Sequence, residues 1–493
     1  MKKNILWLAV ALLTAFAGVS CSNVDDLSEV PTPNPSKEVA ENIVTFTAML
    51  DAKGGSGMRA VSASGATTWV ENEEILISYE NTSSASVSAK ATVESVDANG
   101  KATITASLVN PKDGCQINFY YPYESWKSTS PIDFYYGQDG SLSTLSQYFD
   151  HAVDDSQNGE APYYLSVSGG VATLPSSINM VNPNIIWKLS FTDGVNDITS
   201  DITKLEIYTK AGPNTFEYTI TPTALTTVFY VAMGPPDDIV FTAYTPSGMY
   251  RRAKNGINLE MGKIYTTTGL AMNKVELGKV IGADGNIYAN AGAATTAGTS
   301  AVAVISYFGS AGSVDASSTT YRGLAVAMSD ANSGNKCQWK SNNDDNCTSR
   351  SNNITVARNY LNGIASTNTL TSAGHSGHDH NAAVAAVSNN GTAAPGGTSG
   401  WFLPSIGQWG LILQGLAEKS TPLTTSLNSE YEVSIVNTKI IAAGGTGLQA
   451  YAYWSSTECD VVTTWAIHFS LGSGDAGDNT KASQFYVRSA LAF

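Results

Sequence analysis

The sequence is short of charged residues, and above all of basic ones. Asp, Glu, Lys and Arg make up only 14% of its 493 residues, against about 25% in typical soluble proteins. Its 27 Lys and Arg face 42 Asp and Glu, which gives a formal net charge of −15. Such a chain repels a phosphate backbone and has no basic patch to offset the repulsion. Nucleic acid is therefore excluded as a partner.

The apolar segment near the N-terminus, Ile5–Leu13, is too short to cross a bilayer as a helix. With two lysines before it, it has the pattern of a secretory signal peptide. The following Gly18-Val19-Ser20-Cys21 resembles a bacterial lipobox, so residues 1–20 are expected to be a lipoprotein signal peptide and Cys21 the lipidated residue. Acyl chains on Cys21 would anchor the protein to a membrane without a spanning helix. The alternative is an ordinary secretory peptide with an incidental cysteine.

Residues 21–41 have the composition of an extended tether. They contain three prolines, and the acidic residues Asp25, Asp26 and Glu29 follow soon after Cys21. Acidic residues at this position resemble the surface-export signal of Bacteroidetes lipoproteins. The resemblance implies a surface-exposed lipoprotein of the cell outer membrane.

The remaining cysteines and the histidines offer little chemistry. Cys337 and Cys347 flank a polar loop and could close it with a disulfide in an oxidising exterior. Cys115 and Cys459 are expected to be small buried hydrophobes, and the spacing of the cysteines does not suggest zinc. The best candidate for a metal site consists of His375, His378, Asp379 and His380, but its glycine-rich context favours solvated histidines. No metal site and no cofactor is predicted.

Period-two alternation of apolar and polar residues dominates from Asn42 to about Gly269. Many short strands with frequent turns favour β-sandwiches over βαβ units. Because about 230 residues is large for one sandwich, we expect two, over residues 42–165 and 166–272. The clearest predicted strands are Ile43–Leu50, Ile75–Tyr79, Ala102–Leu108, Ile117–Tyr121 and Ile185–Phe191.

The segment 277–493 differs from what precedes it. It carries a net charge of only −3, and long loops of Gly, Asn, Ser and Thr separate compact apolar islands. The island Ser405–Leu416 has the spacing of one short helix. We therefore expect a mostly β protein with an α+β domain over 277–493, joined to the second sandwich by a linker at Asn273–Glu276.

Several features of the first 272 residues resemble the Bacteroidales fimbrillins, the lipoprotein pilins of type V pili. They are the lipobox, the isolated strand Ile43–Leu50 followed by a flexible loop at Gly54–Ala60, the run Trp69–Ile77 and the aromatic run Phe119–Tyr123. The resemblance implies two transthyretin-like β-sandwiches.

The resemblance also implies assembly by donor-strand exchange. A trypsin-like protease cuts after an Arg in the loop behind the first strand, and a strand of a neighbouring subunit fills the groove that the removed strand leaves. Carried onto this chain, the cut falls between Arg59 and Ala60. The alternative is that Arg59 is a solvated loop residue and that the strand is permanent. The exchanged side chains would be Val44, Phe46, Ala48 and Leu50.

Three blocks in the last segment resemble the C-type-lectin-like domains of bacterial surface proteins. They are Gly400–Ser405, Tyr453–Glu458 and Phe485–Phe493. The Glu-Pro-Asn and Trp-Asn-Asp calcium motifs of sugar-binding animal lectins are absent. Trp401, Trp454 and Trp465 are expected in the core rather than as sugar platforms.

These features together predict a tip adhesin. The C-terminal segment Val487–Phe493 is expected to be a core strand of the last domain, so this subunit could accept a donor strand but not give one. Its partners would be other pilin subunits, and a glycan or host protein would bind residues 277–493 after the protein has left its lipid anchor for the fimbrium. No catalytic arrangement is recognisable, so no enzyme is predicted. The alternative is an unpolymerised surface lipoprotein that captures glycans.

Overall fold

The computed structural model describes residues 43–50, 69–126, 138–141, 145, 151–158, 160–169, 171–174, 177–212, 214–310, 312–318, 321–340, 350–372, 380–419, 433–469 and 475–493. Among these residues the chain is mostly β, as its alternating pattern predicts. The helices are α1 (Tyr123–Trp126), α2 (Ala291–Thr296), α3 (Ile354–Ala357), α4 (Gly363–Thr371), α5 (Asn381–Ser388), α6 (Ile406–Leu416) and α7 (Val433–Ala442). The strands up to residue 181 are β1 (Ile43–Leu50), β2 (Glu74–Glu80), β3 (Ser86–Val96), β4 (Ala102–Val109), β5 (Gln116–Tyr121), β6 (Ala152–Asp154), β7 (Tyr163–Tyr164), β8 (Ser166–Ser168), β9 (Val171–Thr173) and β10 (Met180–Val181).

The later strands divide between two further units. Those up to residue 274 are β11 (Ile185–Thr192), β12 (Lys204–Ala211), β13 (Asn214–Ile220), β14 (Phe229–Met233), β15 (Asp238–Thr245), β16 (Gly248–Lys254), β17 (Ile264–Ala271) and β18 (Asn273–Lys274). Those of the last unit are β19 (Val280–Gly282), β20 (Ile287–Tyr288), β21 (Ala301–Phe308), β22 (Gly323–Ala327), β23 (Ala452–Glu458), β24 (Thr463–His468), β25 (Asp475–Thr480) and β26 (Ala490–Ala492).

The first unit is built on one large sheet with the order β1-β4-β3-β2-β5-β6-β10, to which β7 adds beside β5. Alternate residues of the longer strands face a single core, as in β4, where every second side chain is buried. The hairpin β8–β9 packs on the same core through Ala172.

The boundary between the first two units differs from the predicted division at residues 165 and 166. Strand β10 pairs with β6, and Ile178 and Met180 are buried in the first core. The first unit therefore extends to Val181. The strands between residues 166 and 181 are only two or three residues long, too short for an alternation that the sequence could reveal.

The second unit is a sandwich of two sheets, β14-β11-β17 and β13-β12-β15-β16-β18. In its core, the ring of Phe191 meets those of Phe229 and Phe241 edge to face, each at a centroid distance of 5.9 Å. Strand β17 runs parallel to β11, whereas the other pairs are antiparallel.

The third unit is α+β, with the sheets β20-β19-β21-β22-β26 and β23-β24-β25 and six of the helices. The predicted helix is α6. Ser405 caps it by accepting a hydrogen bond from the backbone N–H of Gln408, while the Gln408 side chain accepts one from the backbone N–H of Ser405. Trp409 of this helix is fully buried and donates from Nε1 to the carbonyl of Trp454.

The segment predicted as a linker, Asn273–Glu276, is part of the structure. Strand β18 pairs with β16, and the backbone N–H of Val275 donates to Met249 at 2.8 Å. Met249 and Val275 belong to a core cluster whose other buried members, such as Trp401 and Phe493, are residues of the third unit. The second and third units therefore share buried surface.

A buried arginine also crosses this junction. Arg251 of β16 is 3% exposed, and its guanidinium donates to the carbonyls of Gly285, Gly396 and Gly397 in the third unit. Burial lowers the pKa of Arg251 to about 10. The three carbonyls provide the hydrogen-bond acceptors for the guanidinium of Arg251. The arginine of the second unit is therefore hydrogen-bonded only while the third unit is docked.

Candidate functional site

Strand β1, the predicted exchangeable strand, lies at one edge of the first sheet. It pairs antiparallel with β4 along its whole length, from Ile43 opposite Val109 to Leu50 opposite Ala102. Apart from this ladder, the only backbone pairing of β1 among the described residues is a parallel bridge between Leu50 and Ile178, and strand β9 also lies close to β1. Because a single ladder holds β1, the strand can leave without breaking the pairing between any two other strands.

The strand covers the core of the first unit. Ala48 is 6% exposed and Leu50 is fully buried, and both belong to the main cluster of that core. Directly opposite residues of an antiparallel pair point to the same face of the sheet. The predicted inward set Val44, Phe46, Ala48 and Leu50 lies in register with the buried β4 residues Leu108, Ala106, Ile104 and Ala102.

The space that β1 occupies, the β1 slot, is bounded by β4, Ile178 and strand β9. Without β1, β4 would expose an apolar face and one row of unpaired backbone groups. Losing the burial of one Leu-sized side chain costs roughly 1.5–3 kcal/mol. An unpaired strand edge is in addition a template for another chain. An empty slot therefore favours capture of a new strand.

The alternating pattern of the sequence predicts β1 but not the residues that β1 covers. The alternation in Ala102–Val109 marks Ile104 as an inward residue, yet nothing in it says that β4 is the neighbour of β1. Ile178 carries no local signal, since it stands alone between short strands. The predicted maturation residues Arg59 and Ala60, and the predicted lipidation site Cys21, lie outside the described residues.

A buried carboxylate lies close to the Ile178 wall of the slot. Asp154 of β6 is fully buried and pairs in register with Met180, two residues beyond Ile178. Its Oδ2 accepts a hydrogen bond from the backbone N–H of Phe119 at 2.6 Å, and its Oδ1 accepts one from the Ser156 hydroxyl. Burial outweighs these hydrogen bonds and raises the pKa of Asp154 to about 6.

The C-terminus is built into the third unit. Strand β26 pairs with β22, and Ala490 is also bridged to Phe402. The terminal Phe493 exchanges backbone hydrogen bonds with Gly323, at 2.9 and 3.1 Å, and its ring lies where a side chain at Gly323 would have to be.

A buried ion pair fixes the chain just before β26. Arg488 is fully buried and donates from Nε to Oδ1 of Asp330 at 2.7 Å. Its other guanidinium nitrogens donate to the carbonyls of Ala327 and Thr446. Withdrawing the last strand would leave Asp330 buried without its counter-charge, which is strongly unfavourable.

The three tryptophans of the lectin-like blocks are buried. Trp401, Trp454 and Trp465 are at most 7% exposed, and each indole N–H donates to a backbone carbonyl. They therefore serve the core of the third unit and do not form an open platform for a sugar ring.

The other sequence-predicted groups are only partly described. Cys337 is partly buried, which raises the pKa of its thiol to about 11, while its expected partner Cys347 lies outside the described residues.

Of the residues considered as a metal site, His375, His378 and Asp379 lie outside the described residues, and His380 is buried against the ring of Trp339. Within the described ranges, no three His, Cys, Asp or Glu side chains come together as a metal site, and no helix is long and apolar enough to cross a membrane.

Two cavities of about 350 Å³ each open on the described surface. One is in the second unit, where Trp187 and Tyr265 face Ile257 and Lys254. The other lies in the third unit beside the end of α6, lined by Leu277, Tyr307, Phe308, Gln414 and Glu418.

Comparison with known proteins gives distant matches to solved structures. No protein-family model matches the chain, and no curated protein matches it. A fimbrial protein from Bacteroides ovatus matches 92% of this chain over 100% of its own, with 15% identity and a TM-score of 0.40. A candidate cell adhesion protein from Parabacteroides distasonis matches 48% of this chain over 94% of its own, with 8% identity and a TM-score of 0.25. A candidate cell adhesion protein from Bacteroides ovatus matches 42% of this chain over 87% of its own, with 15% identity and a TM-score of 0.21.

Proposed function

We propose that this protein is a fimbrial subunit that accepts a donor strand but cannot give one, which is the property of a tip adhesin. The observation that carries the proposal is the contrast between the first strand, β1, and the last strand, β26. Strand β1 is an edge strand over an apolar core, held by one ladder. Strand β26 is held by β22 and Phe402, and its residues are fully buried.

The proposal includes the steps that the fimbrillin resemblance implies. Lipidation at Cys21 anchors the precursor at the outer membrane, and cleavage between Arg59 and Ala60 frees β1 from the rest of the chain. A donor strand from another pilin subunit then forms the same ladder with β4 and buries its own apolar side chains in the β1 slot. The first two units are transthyretin-like sandwiches in this proposal, and the third is a C-type-lectin-like domain that binds a glycan or host protein.

Cleavage supplies the direction of the exchange. In the intact chain β1 is tethered to its slot, so an incoming strand competes with a neighbour at high effective concentration. After the cut, the released β1 can diffuse away from the slot. The donor strand stays at high local concentration, because its own subunit is docked beside the slot. The exchange therefore needs no difference in intrinsic affinity between β1 and the donor.

Limited digestion of the purified full-length protein with trypsin tests the proposal. We expect one early cut after Arg59, detected by intact mass, followed by uptake of a labelled peptide with the sequence of residues 43–50. The variant with both Lys53→Gln and Arg59→Gln, which leaves trypsin neither of the two basic residues of this segment, is expected to bind none of the peptide. An N-terminal strand that resists trypsin, or a cleaved protein that binds no peptide, would contradict the proposal and favour an unpolymerised lipoprotein that captures glycans.

A further inference from the structure

The backbone register between β1 and β4 brings together residue types of different size at three successive alternate pairs. Phe46 lies opposite Ala106, Ala48 opposite Ile104, and Leu50 opposite Ala102. Each of these three pairs joins one small residue to one large residue. Side chains directly opposite each other in an antiparallel pair are the closest neighbours on that face, with Cβ atoms about 4.5–5.5 Å apart.

Strand β3, the neighbour of β4 in the sheet, continues the same rows of small and large side chains. Ala106 is in register with Ala91 of β3, and both are buried, so two methyl groups lie side by side in the row of Phe46. Ile104 is in register with the buried Val93, so two branched side chains fill the row of Ala48. The row of Phe46 therefore leaves room for a large side chain from β1, whereas the row of Ala48 does not.

The position of Leu50 fixes the alignment of these rows. It is the one residue of β1 with a bridged neighbour on both sides among the described residues, Ala102 on β4 and Ile178 opposite. Both neighbours and Leu50 itself are buried. A strand shifted by two residues along the slot would place a different side chain between them and would bring the small position opposite Ala106 or Ala102.

We propose that the β1 slot selects its donor strand by side-chain size. This inference rests on the proposed function and names the partner that it requires. The partner is a strand of another subunit whose alternate, core-facing residues run bulky, small, bulky, matching the positions of Phe46, Ala48 and Leu50. Ile104 excludes a large side chain at the middle position, and Ala102 with Ile178 demands one at the last.

Both kinds of mismatch weaken binding through packing. A bulky residue at the position of Ala48 would overlap the space of Ile104, and well-packed cores resist extra methylenes. A small residue at the position of Leu50 would leave a void between Ala102 and Ile178. Either change is expected to lower the affinity of the peptide for the slot about ten- to a hundredfold.

Peptide binding to the trypsin-cleaved full-length protein tests the selection. The probes are fluorescent peptides with the sequence of residues 43–50 and with the changes Ala48→Leu, Leu50→Ala and Thr47→Leu. Thr47 is the control, because it also receives Leu and lies one residue away, out of phase with the alternation that includes Ala48 and Leu50. We expect the Thr47→Leu peptide to bind like the parent, and the other two to show the losses given above.

A variant of the slot separates size selection from general hydrophobicity. In the Ile104→Ala protein, the Ala48→Leu peptide should recover most of its lost affinity while the parent peptide weakens. Ile104→Val, a milder change, should show the same reversal to a smaller degree if the Ala variant folds poorly. Equal binding of all peptides to the wild-type protein overturns size selection alone. Failure of the parent peptide to bind overturns the proposed function and the selection with it.

Discussion

Replacing Asp154 by Asn is expected to stabilise the first unit at neutral pH. Burial holds the pKa of this carboxyl at about 6, against 3.8 for the unperturbed group. The folded state therefore binds the proton more tightly than the unfolded state, and stability falls as pH rises from about 4 to about 6. A difference of about 2 pKa units corresponds to about 3 kcal/mol, which the ionised carboxylate costs above pH 6.

Asn removes the charge and can still form hydrogen bonds with the backbone of Phe119 and the hydroxyl of Ser156. Its Oδ1 can accept from the backbone N–H of Phe119, and the Ser156 hydroxyl can turn to accept from Nδ2. The Asp154→Asn protein should thus exceed the wild type by up to about 3 kcal/mol at pH 7.5. The gap should shrink steadily as the pH falls from 6 toward 4, because the carboxyl of the folded wild type becomes protonated over this range.

Hydrogen exchange of the full-length protein, followed by mass spectrometry, measures this difference. Amides of β5 and β6 report the opening free energy of the first unit at each pH, once intrinsic exchange rates are divided out. Glu94→Gln, which removes an exposed carboxylate from the same sheet, controls for the change in net charge. A stability difference that does not vary between pH 4.5 and 7.5, or a wild type more stable than Asp154→Asn at pH 7.5, would refute the reasoning.

Three further changes test the junction and the C-terminus. Arg251→Met should leave buried carbonyls of the third unit unpaired, at about 1–3 kcal/mol each, and should split any shared calorimetric transition of the second and third units. Gly323→Ala should collide with the ring of Phe493 and cost about 1–3 kcal/mol, seen as faster removal of C-terminal residues by carboxypeptidase. Asp330→Asn should leave the buried Arg488 without its counter-charge and lower the stability of the third unit by about 3–5 kcal/mol, as measured by urea unfolding. An unchanged midpoint would show that the ion pair is dispensable.

The sequence predicts those elements whose pattern is long enough to be periodic. Strand β1 begins and ends at the predicted residues, and the predicted helix in the third unit differs from α6 only in that Ser405 is its cap. Both are decided locally, one by alternation over eight residues and the other by a capping box before an apolar run. The mostly β composition follows from the same local signals.

What the sequence could not predict is set by contacts between distant segments. Strands β8, β9 and β10 are too short for periodicity, so they are assigned to the first unit by the burial of Ala172 and Met180 in its core and by the pairing of β10 with β6. Nothing near Arg251 indicates that its partners lie about 145 residues away, at Gly396 and Gly397. The neighbour of β1 could not be read either, because alternation gives the face of a residue but not the strand beside it.

The junction between the second and third units bears on how a tip subunit would carry load. A flexible linker at Asn273–Glu276 would let the third unit swing freely, whereas β18 ties this segment into the sheet of the second unit. Arg251 and the ion pair between Glu206 and Arg322 add contacts on either side. A pull on the third unit is therefore shared among a strand ladder, a buried arginine and an apolar cluster, and does not act on a single chain segment. Such a joint would hold the third unit in a fixed orientation to the second.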